Sequence, residues 1–320
     1  MRIKNPLCTD FLQPDPCVIF DNNTEYYYAL WTRRNEVVIY RSRNAATILS
    51  DNDSLEVWHT NAKDGIFEHI WAPEMHKCAD GHWYIYTSGT YKPEGGDKRL
   101  FVLKSNTHDP FDGFTFVRKL DDDLYAIDPT VYTDQNGQQY ICYSVVIEGR
   151  QLLEIREMTD PVTFGEKRAI IARACYDWEM IPPFDEKSSI NEGAFFIKNG
   201  EKLFIIYSAN GTFQNEYCLG VLEYLGGEMC SKDNWKKHDK PLLVQGNGIY
   251  GPGHATFFRS PDKKELWCAY HGMTICNDEN NVVVKRHLNL QKVNFDENGS
   301  PVMGKCIGIN AEIDPPSGEK

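Results

Sequence analysis

The sequence lacks any long apolar stretch. Its 320 residues nowhere contain the ~20 consecutive apolar residues that span a bilayer, and the first eight, Met1 to Cys8, contain no run typical of a signal peptide. The sequence therefore predicts no membrane partner and favours a cytoplasmic protein. An exported form from which a signal has been removed stays open as the alternative.

Basic residues are also scarce. Lys and Arg number 34 against 46 Asp and Glu, which gives a formal net charge of -12. Nucleic acids and anionic membranes bind clustered Lys and Arg, so no nucleic-acid partner is expected.

The ten cysteines include no Cys-x-x-Cys pair, which argues against a zinc site and a thioredoxin-type motif. Several lie in apolar strand-like runs, as Cys142 and Cys268 do. We expect most of them to be buried and reduced, which again favours the cytoplasm. One or two disulfides in an exported enzyme are the alternative.

Helical periodicity is almost absent, because apolar residues do not sustain the i, i+3, i+4, i+7 spacing for more than a turn or two. A strand rich in aromatic and β-branched residues recurs instead, each time after a turn signal. Its aligned residues are 55 to 64 positions apart, namely Trp31, Tyr86, Tyr143, Tyr207 and Tyr270. This period suits a four-stranded sheet with its connections. We predict an all-β fold, a single five-bladed β-propeller domain over residues 1–320.

Each repeat opens with a polar residue that its apolar surroundings do not predict. These residues lie 12 to 16 positions before the aligned aromatic residue, and they are Asp15, Glu74, Asp128, Glu192 and His254. We interpret them as one structural position, used five times on the innermost strands, which would converge on one mouth of the central channel. Carboxylates that face each other in a partly dry pocket cost stability and raise at least one pKa, so we expect the ring to be functional.

Glycoside hydrolysis requires two carboxyl groups on opposite sides of the scissile bond, one ionised and one protonated. A third carboxylate nearby can hold the acid protonated near neutral pH. The residue types of the ring therefore predict this reaction.

Trp71 and Phe67 precede Glu74 on an expected rim loop, where a flat ring can stack on a sugar. Arg286 is a candidate for forked hydrogen bonds to sugar hydroxyls, with a solvated strand residue as the alternative.

At these motifs the chain resembles glycoside hydrolase family 43, whose members are five-bladed propellers. The matching motifs are Pro14-Asp15-Pro16, Trp71-Ala72-Pro73-Glu74, Ile127-Asp128-Pro129, Ile190-Asn191-Glu192-Gly193 and Gly251-Pro252-Gly253-His254. The resemblance implies that Asp15 is the general base, Glu192 the general acid, and Asp128 the residue that raises the pKa of Glu192 and orients the substrate. Glu74, His254 and Arg286 are expected to bind the substrate.

The resemblance implies no required cofactor. In related arabinan-cleaving propellers the histidine that matches His254 helps to hold a central cation surrounded by water. A structural Ca²⁺ or Na⁺ near His254 is therefore expected, with most of its ligands supplied by water. The alternative is a histidine that hydrogen-bonds Asp128 or a water without metal.

The resemblance also implies the activity: an inverting exo-glycoside hydrolase that releases terminal α-L-arabinofuranose from plant cell-wall oligosaccharides. Exo action is favoured because the loops over 91–98 and 177–187 are long enough to wall off a pocket. A β-xylosidase stays open, because sequence spacing cannot separate arabinose-containing from xylose-containing substrates. A non-catalytic carbohydrate-binding propeller, or a related fructan hydrolase or mannoside phosphorylase, is a further alternative. The sequence does not predict the oligomeric state.

Overall fold

A computed structural model describes residues 1–51, 53–120, 124–278 and 285–319. Within these ranges, five sheets of four or more strands follow one another along the chain, and in each of them the first three strands are antiparallel and lie side by side. The prediction of an all-β, five-bladed β-propeller is thereby confirmed. No helix in the described ranges is long and apolar enough to cross a membrane.

In every blade the chain runs from the innermost strand outwards. Blade one contains Cys17–Asp21, Tyr26–Leu30, Glu36–Ser42 and Ser54–His59. Blade two contains Glu68–Lys77, Trp83–Thr90, Lys98–Ser105 and Phe114–Lys119. Blade three contains Ala126–Thr133, Gln139–Ile147, Arg150–Asp160 and Thr163–Ala172. Blade five contains Tyr250–Arg259, Leu266–Met273, His287–Phe295 and Pro301–Val302.

Blade four is larger. It contains Asn191–Asn199, Lys202–Ala209, Cys218–Tyr224, Trp235–Lys237, Leu243–Val244 and, added in parallel, Gly304–Lys305. Ile3–Lys4 pairs with Glu312–Ile313 outside the blades. The short 3-10 helices are Ala45–Thr47, Ala62–Asp64, Pro110–Asp112, Asp177–Glu179 and Lys232–Asn234.

The hydrophobic core is divided among the contacts between neighbouring blades. Five clusters of buried residues fill these contacts, one for each pair of adjacent blades. Between blades one and two, for example, Tyr28 and Leu30 pack with Ile85 and Phe101. Each second strand is buried on both faces, which explains why it is the aromatic strand of every repeat.

The N-terminal segment, residues 5–16, closes the ring. The side chain of Asn5 donates to the Leu290 carbonyl at 2.8 Å and accepts from the Leu290 N–H at 2.9 Å. The Gln13 N–H donates to the carbonyl of Arg286 at 3.0 Å. The segment therefore lies along the third strand of blade five, His287–Phe295, where the fourth strand pairs only with the far end. Closure of the ring and the position of Arg286 depend on the same contacts.

The innermost strands of blades two to five share an irregularity of register. In each of them two residues bulge out opposite the second strand. Blades two and five each contain a further bulge, which begins at His69 and at Gly251. Every bulge begins with a residue of positive φ, and so does the matching position just before blade one; the positions that correspond to one another are Asp15, Ala72, Asp128, Gly193 and His254. A bulge re-aims side chains, and positive φ is strained for residues other than glycine, so this repeated position is a specific feature of the fold.

This position corrects the predicted ring of five equivalent polar residues. Asp15, Asp128 and His254 do share it, but Glu192 lies one residue before the bulge position and Glu74 lies two residues after it. Ala72 takes the place expected for Glu74. Because the bulge adds a residue to the inner strand, counting positions from the aromatic strand cannot fix the register.

Candidate active site

A cavity of about 230 Å³ opens where these five matching positions meet. Its walls come from every blade and consist of Asp15, Thr32, Trp71, Ile127, Asp128, Glu192, Thr212, Phe213, His254 and Arg286. The cavity is smaller than the ~300–1,000 Å³ of drug-sized ligand sites, so it suits a single sugar ring better than a chain. Three carboxyl groups, a guanidinium, an imidazole and the aromatic side chains of Trp71 and Phe213 line this small volume.

Two of the residues expected to bind substrate lie outside the cavity. Glu74 lies on the innermost strand of blade two beyond the bulge, where it is buried and its Oε2 is 2.9 Å from Nε2 of His76. Phe67 also does not line the cavity, and its backbone N–H donates to the carbonyl of Thr90. Trp71 lines the cavity, with the ammonium of Lys98 3.9 Å from the centre of its ring.

Asp15 is held by donors on both carboxylate oxygens. Arg286 Nη1 donates to Oδ1 at 2.9 Å, and the Thr32 hydroxyl donates to Oδ2 at 2.6 Å. Arg286 Nη1 also donates to the Thr212 hydroxyl at 3.0 Å, which fixes the guanidinium. Burial raises the pKa of Asp15, but the positive charge of Arg286 together with the contributions of His254 and His271 outweighs burial, so the pKa lies well below its usual value. Asp15 is therefore ionised at neutral pH.

His271 supports Asp15 from behind. Its Nδ1 accepts the backbone N–H of Asp15 at 3.1 Å, so its proton lies on Nε2, which is 3.3 Å from the Thr212 hydroxyl. Burial lowers the pKa of His271 to about 4, so the ring is neutral. His254 is also buried, with Nδ1 3.4 Å from Oδ1 of Asp15, and burial lowers its pKa as well.

Asp128 and Glu192 have pKa values shifted in the opposite direction from that of Asp15. Burial, then the charges of Glu192 and Asp15, raise the pKa of Asp128 well above its usual value, against a hydrogen bond from the Gly193 N–H at 3.2 Å. Burial and the charge of Asp15 raise the pKa of Glu192 to about 7. The two carboxyl groups titrate as a pair, and the pair retains a proton near neutral pH because two buried charges repel each other.

Glu192 is oriented by two residues that the sequence did not predict. The Tyr217 hydroxyl donates to Oε1 at 2.8 Å, and Gln151 Nε2 donates to Oε2 at 3.0 Å. The Tyr217 ring stacks on His271 with centroids 5.5 Å apart, so the supports of Glu192 and Asp15 touch each other. The Tyr217 ring packs closely on Gly253, where a Cβ would lie 2.2 Å from the ring. This glycine is the sequence feature that could have pointed to a bulky neighbour.

Tyr217→Phe is expected to move the alkaline limb of the kcat/KM profile to higher pH. The hydroxyl stabilises ionised Glu192, so its loss raises the pKa of Glu192 above about 7. A hydrogen bond to a charged group contributes about 1.5–3 kcal/mol, which corresponds to a shift of about one pH unit or more. The profile is measured on an oligosaccharide. Tyr84→Phe, whose hydroxyl binds Asp80 outside the cavity, should leave it unchanged, and a limb that moves to lower pH would contradict the assignment.

Asp128→Asn is expected to raise the melting temperature at pH 8 by a few degrees. The folded-state pKa of Asp128 is raised, so its contribution to stability is present at low pH and is lost as pH rises towards that pKa. Asparagine carries no charge to bury, and the gain should disappear near pH 4. Thermal unfolding at both pH values measures the effect. Asp80→Asn is the control, because the pKa of Asp80 is lowered and its replacement should not raise the melting temperature. Equal shifts in the melting temperature of Asp128→Asn at both pH values would rule out this explanation.

A cation at His254 finds few protein ligands. Within residues 1–51, 53–120, 124–278 and 285–319, no three or more His, Cys, Asp or Glu side chains are arranged to hold a metal ion. The two carboxylates nearest His254 lie 3.4 and 3.9 Å from its Nδ1, and they belong to Asp15 and Asp128. The described residues therefore leave a cation near His254 with few protein ligands.

Comparison with known proteins gives a consistent result. Residues 3–301 match the family model described as "Glycosyl hydrolases family 43". The chain is similar to the extracellular exo-alpha-(1->5)-L-arabinofuranosidase of Streptomyces chartreusis, with 28% identity over 280 residues that cover 84% of this chain and 81% of the relative. It is 27% identical over 320 residues to the protein of the same name from Streptomyces avermitilis, covering 95% of this chain and 63% of that relative.

Among solved structures, the chain is similar to α-L-arabinofuranosidase from Lactobacillus brevis. The TM-score is 0.84 at 23% identity, and the match covers 97% of this chain and 98% of the other. This likeness concerns the fold.

Proposed function

Because the chain belongs to glycosyl hydrolases family 43 and is a glycoside hydrolase, we propose that it releases terminal α-L-arabinofuranosyl units from arabinose-containing oligosaccharides. The observation that carries the proposal is the difference in protonation among three buried carboxyl groups around a cavity of single-ring size. The names of the two Streptomyces relatives support arabinofuranose as the sugar. The substrates would be pentose-containing glycans of plant cell walls.

Asp15 would act as the general base. It is ionised, and the hydrogen bonds from Arg286 and Thr32 fix both of its oxygens. Such a carboxylate can orient a water molecule towards the anomeric carbon and accept a proton from it as the new bond forms. The Arg286 charge lowers the basicity of Asp15 but guarantees that it stays free of a proton when substrate binds.

Glu192 would act as the general acid. Its raised pKa keeps the proton that the glycosidic oxygen needs as the bond to the anomeric carbon breaks. Asp128 would help to keep a proton at this end of the cavity, because it titrates as a pair with Glu192 and ionisation of both buried carboxyl groups is disfavoured. At the end of the reaction Asp15 carries the proton from water and Glu192 is ionised. Exchange with solvent then restores the starting state.

Attack by water on the face opposite the leaving group inverts the anomeric centre, as in the family as a whole. Trp71, Phe213 and Arg286 line the cavity and are proposed to hold the sugar ring through stacking and hydrogen bonds. Binding of only one ring in the cavity accounts for exo action.

Hydrolysis of p-nitrophenyl α-L-arabinofuranoside and p-nitrophenyl β-D-xyloside tests the proposal. We expect the arabinofuranoside to be cleaved faster, and NMR of the first product to detect the β-anomer. Faster cleavage of the xyloside would instead support a β-xylosidase, and retention of configuration would contradict the mechanism. Activity on dyed arabinan alone would contradict exo action, and sugar binding without turnover would support a non-catalytic propeller.

Two further predictions from the sequence stay part of the proposal. A water-ligated Ca²⁺ or Na⁺ at His254 would show as a lower melting temperature after chelation or exchange of the ion.

A cytoplasmic location is supported by the ten cysteines, all of them free and six of them buried. Fractionation of the source cells tests a cytoplasmic location against export. The two Streptomyces relatives are named as extracellular proteins.

A further inference from the structure

A buried lysine and a buried glutamate lie directly behind the residue that precedes Glu192. We propose that Lys237 and Glu179 position the general acid by fixing the side chain of Asn191. We call these three residues the clamp. The inference rests on the proposed function in one respect, because it requires Glu192 to protonate a glycosidic oxygen.

Lys237 is the centre of the clamp. Its side chain is only 10% exposed, and Nζ donates to Oε1 of Glu179 at 2.5 Å, to Oδ1 of Asn191 at 2.8 Å and to the carbonyl of Arg173 at 2.7 Å. All three donor positions of the ammonium are therefore used within the protein. Lys237 ends the short strand Trp235–Lys237 in the outer part of blade four, away from the catalytic cavity.

Glu179 is completely buried and has a full set of donors. Its Oε1 also accepts from the Tyr207 hydroxyl at 2.9 Å, and its Oε2 accepts the backbone N–H groups of Cys175 and Tyr176 at 2.8 and 3.1 Å. Glu179 ends the short 3-10 helix Asp177–Glu179 between blades three and four. The clamp therefore joins this connection to the outer and inner parts of blade four.

Asn191 is held in one orientation by opposite charges. Its Oδ1 faces the ammonium of Lys237, and its Nδ2 donates to Glu179 at 3.1 Å. A flipped amide would place its NH₂ against the ammonium and its oxygen against the carboxylate. The Ser144 hydroxyl donates to the Asn191 carbonyl at 3.1 Å, so the backbone that leads into Glu192 is fixed as well.

Glu192 is thus constrained at both ends. Tyr217 and Gln151 hold its carboxyl group, and the clamp holds the backbone from which it projects. Burying an ion pair is weak evidence for stability, because desolvation of both charges opposes their attraction. Proton transfer, in contrast, depends on the position of the donor to within about 0.5 Å. A positioning role therefore accounts for the clamp better than a purely stabilising one.

The experiment compares substrates whose need for an acid differs. In an arabino-oligosaccharide the leaving group is a sugar hydroxyl, which departs poorly and requires the proton of Glu192. In 2,4-dinitrophenyl α-L-arabinofuranoside the leaving group is dinitrophenolate, which departs with little protonation. The test variant is the double substitution Lys237→Met with Glu179→Gln, which removes both charges together. Asn191→Ala is the second variant; it keeps the ion pair and serves if the double variant does not fold.

We expect both variants to lose about tenfold or more in kcat on the oligosaccharide and less than twofold on the dinitrophenyl glycoside. The matched control is Lys202→Met with Glu223→Gln, a Lys–Glu pair of 2.8 Å in the same blade that does not contact Asn191. It should change neither rate. Equal losses on both substrates, or no loss on either, would overturn the clamp proposal.

This design separates the clamp from the proposed substrate. If the wild-type enzyme prefers xylosides, the same pair of leaving groups is used on xylosides, and the ratio of the two losses still tests the clamp. If the wild-type enzyme cleaves neither sugar, the proposed function fails on its own evidence, before any variant is compared.

Discussion

Glu192→Gln is expected to lower kcat on arabino-oligosaccharides by about 10²–10⁴-fold, the usual contribution of a general acid. Glutamine can still accept from the Tyr217 hydroxyl, and Gln151 must turn its amide to accept from the new NH₂, but glutamine has no acidic proton to give to the leaving oxygen. On 2,4-dinitrophenyl α-L-arabinofuranoside the loss should be much smaller, because this leaving group departs largely without protonation. Steady-state rates on the two substrates measure the difference.

The control for this prediction is Glu154→Gln. Glu154 is also a buried carboxyl group, but it accepts from the Tyr143 hydroxyl at 2.7 Å inside blade three and does not line the cavity. It should retain activity on both substrates if it folds. A Glu192→Gln variant that lost the same factor on both substrates would mean that Glu192 does not act as the acid.

Asp15→Asn is expected to lower kcat by a similar factor, about 10²–10⁴-fold, on both substrates. Water must be activated whatever the leaving group, so the loss of the base cannot be relieved by a better leaving group. The amide also leaves Arg286 without its counter-charge in a buried site. Rates on the two substrates, with folding checked by thermal unfolding, measure this effect.

Thr32→Val provides the graded control for Asp15. It removes the hydrogen bond of 2.6 Å to Oδ2 and the acceptor of the Ala72 backbone N–H at 2.8 Å, and it keeps the charge of Asp15 and its contact with Arg286. We expect a loss of about tenfold, because one hydrogen bond to a carboxylate contributes about 1.5–3 kcal/mol at most. High activity in Asp15→Asn together with complete loss in Asp128→Asn would exchange the roles of the two aspartates.

The fold could be predicted from the sequence because each blade repeats one local pattern. An aromatic strand buried between neighbouring blades is needed five times, so Tyr143, Tyr207 and Tyr270 recur at a regular spacing. The polar residues that open the repeats were also visible, because Asp15 and Glu192 interrupt apolar surroundings. Their convergence follows from the propeller geometry alone.

The register at the channel mouth could not be predicted. The bulge assigns Ala72 to the place expected for Glu74, and only the short spacing of 12 residues between Glu74 and Tyr86, against 15 or 16 elsewhere, distinguished that repeat. Tyr217 and Lys237 were missed for a different reason. Each reaches its partner across blade four, and no local pattern of residues encodes such a contact.

The closure of the ring has a consequence for synthesis. Arg286 and Asp15 are separated by 271 positions along the chain, so a ribosome must complete most of blade five before the aspartate meets its counter-charge. A nascent chain with only the earlier blades would carry Asp15, the proposed general base, in an unfinished pocket. Glycosidase activity of a nascent chain should therefore begin only when the segments that contain Asp15 and Arg286 have come together.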